Sequence, residues 1–377
     1  MIPHSKRKKM KIKELTEYLD SIFLPVYQEE YDNAGFLVGD PDDELAGVLT
    51  TTDVTDAVID EAIGYHLNLI VSHHPLIFGG LKRITPTSDT SRMVMKLIEN
   101  HISVYTAHTN LDNQRNGVNG ILAMKLGLQD CRILRPAESV LRKLVTYVPL
   151  TDADKVRHAL FDAGAGGIGA YDCCSWNAEG TGTFRAHEGC HPHCGEIGEL
   201  HHENEIRIEV VYEQRIERQL LSALRKTHPY EEPAIDCIPL ANKYEAIGAG
   251  MVGVLPSPVA ATEFLAEIKR TLGIPIIRSS ETTCNLAKRS VRKIAICGGS
   301  GSFLIGDAKA CGADIFMTSD LKYHDFQSAG ESLILTDIGH YESEQFAKEI
   351  FYREISQKFS NFACRISEED VGFINYI

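Results

Sequence analysis

The run Leu69-Ile70-Val71-Ser72-His73-His74-Pro75 decides how the rest of the chain is read. Its apolar part predicts a buried strand over residues 67–72. Pro75 cannot donate to a sheet ladder, so the strand stops and the two histidines fall on the turn that follows. On a turn both rings can face one site or two adjacent ones, or they are simply polar residues of a surface loop.

Working outward, helical and strand patterns alternate. Ile12, Leu15, Leu19 and Ile22 recur at helical spacing. Residues 47–52 read as a strand, 55–65 as a helix, 92–100 as a helix, 102–107 as a strand and 119–126 as a short helix closed by Gly127. This order predicts βαβ units and a mostly parallel sheet, with sites at the carboxyl ends of the strands. The second such end carries His108-Thr109-Asn110-Leu111-Asp112. Asp112 offers a carboxylate ligand with His108 behind it, or the cluster is a turn or cap ahead of Gly117.

The pattern changes between residues 141 and 246. A strand at 144–148, a helix at 152–163, the alternation Ile206, Ile208, Val210, Tyr212, a helix bearing Ile216, Leu220 and Leu224, and a strand at 234–240 fit a ferredoxin-like split βαβ unit. Residues 164–202 read as loop and hairpin. The α/β pattern resumes after Gly248, with a helix at 262–272, strands at 293–297, 315–318 and 333–336, a helix at 303–311 and a long closing helix at 342–358. The expected fold class is therefore a split α/β domain, residues 1–140 and 247–377, interrupted by a small ferredoxin-like α+β insert at 141–246; the polar strand ends make it a metal-binding one. An insert bounded by strands should have its two ends close together.

The third polar strand end is Thr336-Asp337-Ile338-Gly339-His340-Tyr341-Glu342-Ser343-Glu344. His340 and Glu344 are spaced i, i+4 and share one face of a helix, which suits two ligands of one metal site. An acidic first turn favoured by the helix dipole explains Glu342 equally well. Imidazole and carboxylate without thiolate suit Zn, Mn, Fe or Ni. His73, His74, Asp112, His340 and Glu344 are too many ligands for one four-coordinate ion, and suit two metals sharing a carboxylate.

The chain has 377 residues, enough for two or three domains at about 150 residues each. It has 44% hydrophobic and 24% charged residues, which excludes a disordered, collagenous or coiled-coil protein. No apolar run approaches the roughly 18 residues that span a bilayer. The net charge of −14 argues against broad nucleic-acid binding. The basic run Lys6-Arg7-Lys8-Lys9 reads as a solvated N-terminus, and no apolar stretch follows it to make a secretory signal. Ten cysteines, mostly single in apolar segments, are expected as reduced thiols in the cytoplasm.

The motifs Ser72-His73-His74-Pro75, His108–Asp112, Gly298-Gly299-Ser300-Gly301-Ser302, Thr318-Ser319-Asp320-Leu321-Lys322-Tyr323-His324 and Gly339–Glu344 together resemble the NGG-interacting-factor-three-like family, also labelled GTP cyclohydrolase I type 2 homologues. The likeness runs from about Met10 to Ile377. It implies two divalent ions held by His73, His74, Asp112, His340 and Glu344, with Glu344 bridging, and a ring-like homohexamer. It also implies a PII/CutA-like insert, carried by Glu179-Gly180-Thr181-Gly182-Thr183-Phe184 and His228-Pro229-Tyr230-Glu231-Glu232-Pro233.

The chain departs from that family at Cys190-His191-Pro192-His193-Cys194, followed by His201 and His202, which is a zinc-compatible spacing or an incidental loop. Gly298–Ser302 lacks a P-loop Lys-Ser/Thr, and serves as an anion-facing turn or a purely structural one. Two functions compete. One is a hydrolase acting on a nucleotide, cyclic amide or phosphoester through a metal-activated water. In it Lys322 and His324 orient substrate or act as acid and base, unless they are ordinary surface residues. The other is a non-enzymatic metal-binding regulatory or assembly protein working through the insert. No Gly-x-Ser-x-Gly elbow is present, which argues against covalent catalysis.

Overall fold

A computed structural model describes residues 10–360 and 362–375; the basic run Lys6–Lys9 lies outside them. The described chain divides into two compact units. One joins the residues up to Pro136 to those from Glu245 onward, and the other is Ala137–Tyr244. In chain order the strands are β1 (Gly35–Val38), β2 (Gly47–Thr51), β3 (Leu69–Ser72), β4 (Ser103–Thr106), β5 (Gln129–Ala137), β6 (Leu141–Pro149), β7 (Trp176–Arg185), β8 (Leu200–Glu213), β9 (Ile235–Pro239), β10 (Tyr244–Ala260), β11 (Arg278–Ser279), β12 (Ser290–Ser300), β13 (Ile315–Ser319), β14 (Ile334–Asp337) and β15 (Ala363–Ile366).

The larger unit holds two sheets, ordered β1-β4-β3-β2-β15 and β11-β14-β13-β12-β10-β5. β4, β3, β2 and β15 run parallel, as do β12, β13 and β14, while β1, β10 and β11 are antiparallel to their neighbours β4, β12 and β14. Every residue of β2, β3, β4, β13 and β14 is buried. Parallel strands covered on both faces require such unbroken apolar or small runs. Alternate residues then serve different cores. Leu69 and Val71 of β3 face the central core, with Ile294, Ile296, Ile315 and Met317 of the second sheet and Ile12, Leu15 and Leu19 of the helix Ile12–Ile22. Ile70 faces the opposite way, onto Val58, Ile59 and Leu97 of the helices Asp56–Gly64 and Asp89–Glu99. Each such aliphatic side chain contributes about 1.5–3 kcal/mol on full burial. Thr55 and Ser88 start those two helices by accepting the amides of Val58 and Ser91.

The structure adds strands that the sequence reading did not contain, β1, β5, β10, β11 and β15, and it divides the closing helix. The closing helix is two helices, His340–Glu344 and Ala347–Lys358, separated by Gln345 and Phe346. Gln345 and Phe346 form a turn in which both residues keep right-handed backbone angles. β10 runs through Gly248, Gly250, Gly253, Pro256 and Pro258, residues that are poor strand signals; its register against β12 shifts between Val254 and Val259, which leaves both prolines outside the paired positions.

The smaller unit is a four-stranded sheet, β7-β8-β6-β9, with every neighbouring pair antiparallel. The helix Ala153–Asp162 connects β6 to β7, and Glu217–Thr227 connects β8 to β9. Val156, Leu160, Leu220 and Leu224 of these helices pack with Leu144, Val148, Ile208 and Val210 of the sheet. Among the described residues no helix is long and apolar enough to cross a membrane.

Candidate metal centre

The carboxyl ends of the parallel strands in the larger unit carry the site. β3 runs into His73 and His74, β2 into Asp53, β13 into Asp320, and β14 into Gly339 and the helix beginning at His340. β4 leads through His108 into the four-residue helix Thr109–Asp112. The structure therefore brings together all five of the ligands implied by the resemblance.

Each histidine is fixed through Nδ1, which aims Nε2. His73 is fully buried and its Nδ1 pairs with the Ala107 carbonyl at 2.9 Å. His74 Nδ1 pairs with Asp53 Oδ1 at 2.9 Å, and His340 Nδ1 with Asp320 Oδ2 at 2.7 Å. An acceptor behind a ligating imidazole fixes its tautomer and orientation. The three Nε2 atoms converge on one carboxylate oxygen: Glu344 Oε2 lies 2.8 Å from His74, 3.0 Å from His340 and 3.7 Å from His73. Asp112 Oδ1 lies 3.6 Å from His73 Nε2. Ligand atoms of His73, Asp112 and Glu344 fall within 4.8 Å of one another, and so do those of His74, His340 and Glu344. The two groups share Glu344. A further group joins His73, His74 and His108.

The electrostatics follow from this packing. Burial disfavours a charged Glu344, but hydrogen bonds from His340 and His74 and the nearby His73 imidazole outweigh it and hold the carboxyl well below its usual range. Burial likewise opposes protonation of His74, yet Asp53 and Glu344 raise it to about 10; Glu344 and Asp320 raise His340 to about 9 against the same burial. Asp112 is pushed up to about 6 by burial, against the pull of His73. Without a cation, then, the centre balances its carboxylates with protons on imidazoles.

Two atoms remain unmatched. His73 Nε2 and Asp112 Oδ1 are buried and have no hydrogen-bond partner. A buried orphan costs about 1–3 kcal/mol. Their separation is too long for a hydrogen bond between them, and comparable with two metal–ligand bonds of roughly 2.0–2.2 Å meeting at one ion. The donor set of nitrogen and carboxylate oxygen thus fits a divalent cation.

Glycines make room for the shared carboxylate. Gly299 has φ +61°, and a Cβ there would collide with Glu344 Oε1. The amides of Gly298 and Gly299 donate to Asn119 Oδ1 and Ser343 Oγ, each at 2.9 Å, so this segment brings the backbone close to the helix His340–Glu344. Gly339, at φ +86°, makes the turn before His340, and its amide donates to Asp337.

Lys322 and His324 stand exposed at the head of the helix Tyr323–Ala329, where His324 Nδ1 is 3.2 Å from Gln327 Oε1. Their loop reaches the cluster through Asp320. Sequence reasoning did not single out Asp53, Asp32 or Asp320. Asp53 and Asp320 each follow a buried strand within two residues, a usable signal. Asp32, which pairs with His108 Nδ1 at 2.7 Å and accepts the Thr109 amide at 3.0 Å, lies in irregular chain and carried none. In the smaller unit Cys190, His191 and His193 are exposed, whereas Cys194 is gathered with His201 and Glu203.

This is the fold of a known class of protein. The family model described as Duf34/NIF3 (NGG1p interacting factor 3) matches residues 10–371, and the chain belongs to that family. Among its relatives, the GTP cyclohydrolase 1 type 2 homolog of Halalkalibacterium halodurans is 40% identical over 316 residues, covering 82% of this chain and 83% of that one. The Bacillus subtilis protein of the same description is 38% identical, covering 88% of each chain. A Bacillus cereus protein related to NIF3 superposes with TM-score 0.82 at 34% identity, covering 98% of this chain and 100% of its own.

Proposed function

We propose that the protein holds two divalent cations, one among His73, Asp112 and Glu344 and one among His74, His340 and Glu344, and that it is a metal-dependent hydrolase. The observation that carries this reading is the sharing of Glu344 by two ligand groups, one of which contains the unmatched His73 Nε2 and Asp112 Oδ1. A pair of such ions lowers the pKa of a bound water and polarises a substrate oxygen. Zn, Mn, Fe and Ni all suit the donors.

The chain's own residues supply the rest. Asp53, Asp320 and the Ala107 carbonyl hold the imidazoles in place. His74, Asp112 and His340 are the partly exposed members and face the incoming substrate. Tyr31 and Phe78 are exposed aromatics with ring centres 6.3 Å apart, and Phe78 is 6.1 Å from the His108 ring. Such a pair suits a planar heterocycle, which favours a nucleotide over a simple phosphoester or a saturated cyclic amide. Lys322 orients the substrate and His324 protonates the leaving group.

The smaller unit is read as a ferredoxin-like, PII/CutA-like insert; its strand order β7-β8-β6-β9 with two helical connections supports this. A cytoplasmic homohexamer completes the proposal. The test is metal analysis of untagged protein combined with a panel of nucleotides, phosphoesters and cyclic amides. Turnover by the metal-loaded protein that is lost with chelator and in Asp112→Ala supports the reading. A metal-loaded protein that turns over nothing on the panel favours instead the metal-binding regulatory or assembly role.

A further inference from the structure

β8 places His201, Glu203 and Glu205 on one face, because alternate residues of a strand share a side. The segment between β7 and β8 folds back over that face. It is pinned by the Gly198 amide on the Ala186 carbonyl at 2.8 Å, by a bridge between Ala186 and Ile197, and by the His191 amide on Glu231 Oε2 at 2.9 Å. Gly195, at φ +78°, lets it lie directly on His201: a Cβ at this position would be 2.8 Å from the imidazole Cγ. The result carries Cys194 onto the strand.

Its thiol sits among polar neighbours: burial and the Glu203 carboxylate raise its pKa, against the pull of Tyr230. His201 Nε2 is 2.8 Å from Glu203 Oε2. The ligating atoms of Cys194, His201 and Glu203 all fall within 4.8 Å of one another. Tyr230 is held in turn by Glu205 Oε1 at 2.7 Å, and Phe184 packs against His201 with ring centres 5.3 Å apart. Beside this face lies a cavity of about 750 Å³, whose walls carry Glu179, Glu205, Glu231 and Glu232 against Arg207. That balance of charge attracts cations.

We propose that Cys194, His201 and Glu203 form a second, separate binding site for a borderline-soft divalent cation such as Zn²⁺, lying wholly within the smaller unit. Thiolate, imidazole and carboxylate are all zinc ligands, and two anionic donors with one neutral donor neutralise a divalent charge. Three protein ligands leave a fourth position for water or a small ligand, the pattern of an open zinc site. The thiolate makes this site softer than the His/carboxylate centre, so the two separate by metal preference as well as by place. The Cys190-to-Cys194 spacing thus contributes one cysteine, and the remaining ligands come from β8.

The test uses the full-length protein, stripped with chelator, kept reduced and titrated with Co²⁺. A thiolate bound to cobalt gives a near-ultraviolet charge-transfer band that imidazole and carboxylate ligands do not. The expected result is a band that saturates with a single thiolate-bound cobalt per chain and is displaced by Zn²⁺. It disappears in Cys194→Ser and in His201→Ala, and persists in Cys190→Ser, Cys297→Ser and Glu344→Gln. Wild-type protein that takes up cobalt without the band overturns the proposal, as does a band that survives Cys194→Ser. Because the wild-type titration is decisive by itself, a variant that fails to fold does not rescue the idea.

Discussion

Replacing Glu344 by glutamine tests the centre most directly, because the change preserves shape and removes only charge. The carboxylate is 3% exposed and its Oε2 receives His74 and His340 at 2.8 and 3.0 Å. Two hydrogen bonds to a charged group contribute about 1.5–3 kcal/mol each. Part of this returns when the imidazoles, no longer facing an anion, shed their protons. Breaking one partner out of a buried ion pair costs about 3–5 kcal/mol, and we expect the chelated Glu344→Gln protein to lose an amount in the lower part of that range. Metal content should fall further than stability. Both ligand groups contain Glu344, so both ions should be lost, whereas Asp112→Ala should empty mainly the ion that His73 shares with it. Elemental analysis after reconstitution, paired with urea denaturation of the chelated proteins, reads both quantities. Wild-type metal content in Glu344→Gln refutes the bridging role. Loss of a single ion in that variant shows that Glu344 serves one group only.

Three further outcomes follow from the same geometry. In the chelated protein His340 and His74 are raised to about 9 and about 10 from an ordinary value of 6.5, so their stabilisation is complete below pH ~6.5 and drains away as pH rises through 9 and 10; denaturation midpoints across pH 6–10, on the order of this titration window, should fall for chelated protein and stay flatter once metal replaces those protons. Gly299→Ala puts a methyl where Glu344 Oε1 sits and adds roughly 1–2 kcal/mol of left-handed backbone strain, so metal content and melting temperature should both drop; a variant that keeps its metal contradicts the close approach. Excision of the smaller unit should leave a folded metal-binding protein, because Leu141 and Leu240 are joined by a 3.0 Å backbone hydrogen bond and a short linker spans the gap; an insoluble or metal-free product argues against it, and light scattering on the intact chain checks the hexamer.

The sequence alone determined the periodic parts. Buried parallel strands need unbroken apolar runs, and a run ending in His-His-Pro, His-x3-Asp or Gly-His-x3-Glu announces both the strand and its polar end, because local composition suffices for each. The break in the closing helix and the strand β10, by contrast, depended on what packs against them: β10 carries three glycines and two prolines that no local rule reads as a ladder, and its pairing with β12 supplies the missing reason. The same division runs through the site. The five candidate ligands and their strand-end positions were legible. That Asp53 and Asp320 stand behind His74 and His340, and that Cys194 meets His201 and Glu203 instead of Cys190, were decided by the tertiary structure. Each of these pairings joins residues brought together by a chain reversal or by separate strands. Spacing along the chain encodes which face of one element a residue occupies, and only packing fixes which element it meets.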